Sequence, residues 1–349
     1  MYLFRKPEDV LKLVDRNFAT MVLGSKESDP TVYRAWQRAD ANNTPISQMK
    51  KSAGGRAAIK AADEFLRGLD LKEEDFEYYR SATYEDVATF WAQQLFTWKL
   101  KKTLPDTVAF VNALAKGSVA CRHLWESGER AAAIQMVSDL PWANTDTMQW
   151  YLSVLRTNRD EITDEWHLPA QAMTMSAIAR MVMLEGSRLG SPSDRAWNIH
   201  DLMGARHPDT GDLVAIRYFM DQTLAAAEGV ETHSEFADLA LKHVEDDDTR
   251  QREAKKYRAG KVVPPYKQCL QINENMKSFM SERSAEELFY LANIACFCQK
   301  LYRRLQKTQD LGLDPITPFD DFKAFRDMPE NHLKEAMKHA ASHEFSMGF

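Results

Sequence analysis

Apolar residues recur three or four positions apart along nearly the whole chain, which is the spacing of one buried helix face. Val10, Leu11, Val14, Phe18 and Met21 predict a helix from Pro7 to Met21. Helical spacing returns over residues 56–69 and 84–100, the second carrying Val87, Phe90, Trp91, Leu95 and Trp98 on one face. Pro105 suits the first turn of a further helix that runs to Trp125, and Gly128 closes it. Helices are then predicted at 129–137, 147–156, 169–189, 213–227, 235–244, 266–280 and 285–307, with a last one ending at His343. No stretch alternates with a period of two.

The breaks in this pattern are as informative as the pattern itself. Residues 39–55 hold Asn42, Asn43, Pro45, Gly54 and Gly55 and predict a long loop or arm. Gly186 through Asp194 and His207 through Gly211 are rich in turn residues, and Pro264-Pro265 ends a charged segment. The expected fold is all-α, with two helical lobes divided between about residues 186 and 212 and extended arms at both ends. In that division residues 1–55 form an arm and first helix, 56–195 and 196–310 the two lobes, and 311–349 a C-terminal arm.

Composition supports a folded helical chain. Of 349 residues, 44% are apolar and 28% charged, and 14 glycines with 13 prolines are too few for the frequent turns of an all-β fold. No run reaches the roughly 20 apolar residues of a membrane-spanning helix. The first residues mix Arg5, Lys6, Glu8, Asp9, Lys12 and Asp15 without an apolar core, so an intracellular location is expected. The four cysteines, Cys121, Cys269, Cys296 and Cys298, match no zinc-ligand spacing and are expected to be buried free thiols. A net charge of −6 excludes an indiscriminate polycation but not a local basic groove.

Catalytic signatures are sparse. Gly54-Gly55-Arg56 lacks the spacing of a nucleotide-binding loop, and Asp246-Asp247-Asp248 lacks the second acidic face that a divalent ion between helices requires. His167 with the pair His200-Asp201 resembles the metal-dependent HD-domain phosphohydrolases, with Asp238 as a candidate fourth ligand. The polar residues before His200 depart from the apolar helix that delivers the pair in that family. No nucleophile elbow, zinc-protease helix or Cys–His arrangement is present.

Basic residues are the remaining constellation. Lys101 and Lys102 close one predicted helix, Arg122 and Arg130 flank the next turn, and Arg156 and Arg159 follow. Arg180, Arg188, Arg206 and Arg217 bracket the expected lobe boundary, with Trp197, Tyr218 and Phe219 nearby as candidate base-stacking rings. A basic cleft between lobes would bind a phosphate backbone without reading sequence. On composition alone, solvated faces paired with Asp and Glu are the simpler account of these charges.

One stretch carries a family resemblance. Met203-Gly204-Ala205-Arg206-His207-Pro208-Asp209, followed by Leu213 through Phe219, is similar to a segment of the nucleoproteins of non-segmented negative-strand RNA viruses. Bornavirus nucleoproteins are the nearest of these. Ala133-Ile134-Gln135-Met136 with Pro141-Trp142, and Gln171-Ala172-Met173-Thr174, fall in similar order upstream, so that the resemblance spans about residues 130–228. It implies a two-lobed helical protein that clamps single-stranded RNA in a basic cleft and polymerises through terminal arms. Lys101, Lys102, Arg122, Arg130, Arg180, Arg188, Arg206 and Arg217 would then contact phosphates, and no metal or cofactor is needed. An HD-type phosphohydrolase and a helical scaffold or coat protein that binds only protein are the alternatives.

Overall fold

The N-terminal turn of the helix that starts at Pro105 shows how this chain builds its elements. The computed structural model describes residues 104–157, 164–188, 199–308 and 312–344, together with the single positions Val14 and Arg56. The predicted helices at 7–21, 56–69 and 84–100, the loop at 39–55 and the pair Lys101 and Lys102 lie outside the described residues. Of the described residues, 75% are helical and none is in a strand, so the fold is all-α.

The helices run in the order α1 (Pro105–Glu126), α2 (Arg130–Ser138), α3 (Asp146–Thr157) and α4 (Leu168–Arg188), with a 3-10 turn at Asp164–His167 ahead of α4. They continue as α5 (Ile199–Gly204), α6 (Ala215–Ala226), α7 (His233–Ala240), α8 (Asp247–Arg258) and α9 (Tyr266–Met276). After a 3-10 turn at Lys277–Phe279 come α10 (Glu282–Lys307), α11 (Thr317–Asp320), α12 (Phe322–Arg326) and α13 (Glu330–Glu344).

Local chemistry accounts for many of the boundaries. Pro105 occupies the first turn of α1, and Gly128 ends the segment at a φ of 87° that residues with a Cβ avoid. Thr232 and Glu235 form a reciprocal capping box at the start of α7. Asp246 caps α8 by accepting the Thr249 amide at 2.8 Å, and Ser281 does the same for α10 with Ser284 at 3.1 Å. In α8 the acidic first turn (Asp247, Asp248) and the basic last turn (Lys255, Lys256, Arg258) complement the helix dipole. The Asp246-Asp247-Asp248 run is therefore a helix start.

The chain divides into two compact units, one comprising residues 1–186 and 328–349 and the other residues 187–327. In the first unit α1 packs against α2 and α13, and α2 against α3. Its core holds Phe110, Leu114, Trp142, Tyr151, Met173 and Leu333. In the second unit the long α10 packs against α5, α6 and α9, while α7 and α8 close on each other and α5 meets α11 and α12. Phe219, Phe236, Ile272, Leu291 and Leu301 fill its centre.

The residues after 311, expected as an arm, are integrated at every described element. Phe319, Phe322 and Phe325 are all buried within the second unit. Helix α13 lies along α1 in the first, where Lys334 reaches Asp106 at 3.3 Å. Pro318 occupies the first turn of α11, where its missing N–H costs nothing.

Candidate nucleic-acid interface

Helix α6 carries one member of a group of basic side chains in the second unit. Its inward face (Ala215, Ile216, Phe219, Met220, Thr223) is buried, which turns Arg217, Tyr218 and Asp221 outward. Arg217 and Asp221 are one turn apart and form an ion pair at 3.5 Å. Asp221 also accepts a hydrogen bond from Arg258 Nε, at the end of α8, at 3.1 Å. One carboxylate thus holds two guanidinium groups from two helices, one oxygen for each.

The turn after α8 brings in a third helix. Gly260 adopts a φ of 64°, which favours glycine, and a Cβ there would crowd Val214 Cγ1 at 3.2 Å. The Gly260 carbonyl accepts from Arg303 of α10, and Gln299 of the same helix donates to the Leu213 carbonyl at 2.7 Å. Lys261 follows, exposed, and Lys255 and Lys256 are exposed on the last turn of α8. Arg303 also lies near Asp212, whose carboxyl is held below its ordinary value mainly by the Tyr302 hydroxyl at 2.5 Å, with Arg303 contributing. Arg217 and Arg258 thus flank Asp221, Arg303 lies near Asp212, and Lys261 is exposed just after α8.

The other expected phosphate contacts have varied surroundings. Arg122 is 3% exposed within α1. The Arg130 guanidinium lies over the Trp125 ring at 5.2 Å, a cation–π contact. Arg180 Nε donates to the Met328 carbonyl at 3.1 Å, and Arg188 is exposed at the end of α4. Arg206 donates to the Met203 carbonyl at 2.7 Å and pairs with Asp320 at 2.8 Å, so it closes the C-terminus of α5. Arg217 gains a basic companion, Arg258, through Asp221, as Arg206 does more loosely through Asp320, which Lys323 approaches at 4.0 Å. Of the candidate stacking rings, Tyr218 is half-buried, Trp197 is outside the described residues, and Phe219 is completely buried in the core and has no face to offer a base.

Arg258, Lys261 and Arg303 were not among the expected site residues. The basic last turn of α8 was a visible signal; nothing along the chain indicated which carboxylate it would meet.

The residues of the HD-type alternative are placed as follows. His167 is 1% exposed, with Nδ1 2.7 Å from the Tyr151 hydroxyl. His200 is buried on α5 while its neighbour Asp201 faces outward. Asp238 is occupied by Gln251 at 3.1 Å and by Arg250 at 3.8 Å. Among the described residues, no group of three or more His, Cys, Asp or Glu side chains is arranged to hold a metal ion. No described helix is long and apolar enough to cross a membrane.

Comparison with known protein families, with curated protein sequences and with solved structures found no match to this chain.

Proposed function

We propose that this chain is an RNA-binding nucleocapsid protein that coats single-stranded RNA and assembles with copies of itself. The observation that carries this reading is the convergence of Arg217 and Arg258 on Asp221, beside Lys261 and Arg303. A planar guanidinium matches a phosphate oxygen pair, and a row of them contacts a backbone without selecting bases. Arg217 also belongs to the segment that resembles the viral nucleoproteins, so geometry and sequence meet at one residue. The mildly acidic average is compatible, since only the contacting surface must be positive.

The test is the absorbance ratio at 260 and 280 nm of the purified full chain, with its size on a sizing column. A high ratio in a large species that collapses after nuclease treatment in high salt supports the reading. A nucleic-acid-free monomer or dimer that does not retain added RNA at low salt overturns it. A protein-only scaffold and, through metal analysis at His167, His200 and Asp201, a phosphohydrolase would then be tested.

A further inference from the structure

We propose that Asp221, an acidic residue inside a basic surface, is the positioning residue of the RNA interface, and that removing its charge weakens RNA binding. The inference rests on the nucleocapsid reading and goes beyond it. Each oxygen of the Asp221 carboxylate takes one arginine: Oδ1 accepts from Arg258 Nε at 3.1 Å, and Oδ2 faces Arg217 Nε at 3.5 Å. Among the described residues, both guanidiniums give only Nε to the protein. The terminal nitrogens, which match phosphate oxygens best, remain available.

Two arginines brought together from α6 and α8 repel one another and carry large rotamer freedom. A carboxylate between them offsets the repulsion and holds the two planes in one arrangement before RNA arrives. Preorganisation of this kind raises affinity by removing an ordering cost from the binding step. The exposures fit the role: Arg258 at 24%, Asp221 at 35% and Arg217 at 38% are anchored yet reachable by solvent.

The sign of one substitution decides the matter. If the surface acts only through its overall field, Asp221→Asn makes it more positive and RNA binds more tightly. If Asp221 positions the arginines, the same change weakens binding. The experiment titrates the full chain with a fluorescein-labelled uridine oligonucleotide, followed by anisotropy at several salt concentrations.

Asp221→Asn is expected to weaken binding by roughly fivefold to tenfold, the effect of losing about one charge-assisted hydrogen bond. The salt dependence should become shallower by about one counterion. Asp221→Glu, which keeps the carboxylate, should recover part of the loss. Arg258→Lys keeps the charge but not the planar fork and should also weaken binding, which provides a second measurement if Asp221→Asn alters the thermal melt.

Equal or tighter binding by a folded Asp221→Asn variant overturns the positioning role while leaving the RNA reading intact, as does Arg258→Lys that binds like wild type. Failure of the wild-type chain to bind the oligonucleotide at low salt overturns the RNA reading itself.

Discussion

The Glu185 carboxylate accepts the backbone amide of Thr107 at 2.7 Å, tying the last turn of α4 to the first turn of α1 across 78 residues of sequence. Its other oxygen accepts the Asp106 amide at 2.8 Å. Leu104, at the cap position of α1, has no side chain that can do this, so the open amides of the helix start are satisfied from a distant helix. Glu185 is 2% exposed, so the amides at the start of α1 take the place of water around its carboxyl oxygens.

Glu185→Ala should therefore destabilise the first unit by about 1–3 kcal/mol, through unsatisfied amides at a buried helix start. Glu185→Gln, which keeps a neutral acceptor, should cost less. The denaturant midpoint of each variant checks this, and unchanged midpoints for both would mean that α1 does not depend on this cap.

Arg206 and Arg217 should separate under mutation although both lie in the segment that resembles the nucleoproteins. Arg206→Ala removes the bond to the Met203 carbonyl and the pair with Asp320, and should lower stability by about 1–2 kcal/mol. Arg217→Ala loses one half-exposed pair and should stay within about 0.5 kcal/mol of wild type, while RNA affinity falls. Thermal melts and RNA titrations of the two single variants make the comparison. An Arg206 variant as stable as wild type would contradict the role of this side chain in closing α5.

Asp212 makes one component of stability depend on acid. Its carboxyl is held below the ordinary 3.8, chiefly by the Tyr302 hydroxyl, with further help from Thr210 and Arg303. A depressed folded-state value means that the stabilisation is present above 3.8 and disappears as pH falls through the lowered value. Tyr302→Phe removes the largest cause. Melting temperatures of wild type and Tyr302→Phe should differ near neutrality and converge in acid; curves that stay parallel would sink the assignment.

All four cysteines are buried thiols outside any disulfide. Burial pushes the Cys298 thiol up to about 12, and a hydrogen bond that the Cys269 thiol gives to Cys296, together with burial, raises Cys269. A thiol-reactive disulfide reagent should accordingly label none of them in the native chain and all 4 in denaturant. Labelling of any one before unfolding would mean that its helix opens locally.

Arg258 and Asp221 show where reading along the chain stops being enough. They are 37 positions apart on different helices, and each is ordinary surface composition by itself. The helical period could say that Asp221 faces outward, yet it could not say which cation would cross from α8 to meet it. Phe219 and Tyr218 make the same point at closer range. Both are aromatic and adjacent, and the face of α6 that packs inward takes Phe219 into the core while leaving Tyr218 at the surface.

What the sequence determined by itself is the helical character of the chain and many of its stops. Helix starts and ends depend on contacts within a few residues: Pro105 in a first turn, Gly128 at positive φ, Asp246 on the amide three residues on. Such interactions are legible because neighbours in sequence are neighbours in space. The tertiary structure alone decided that Phe319, Phe322 and Phe325 join a core, that Glu185 caps α1, and that two arginines share Asp221. Those outcomes depend on how helix faces bury one another, and burial brings together groups whose separation along the chain carries no local signal.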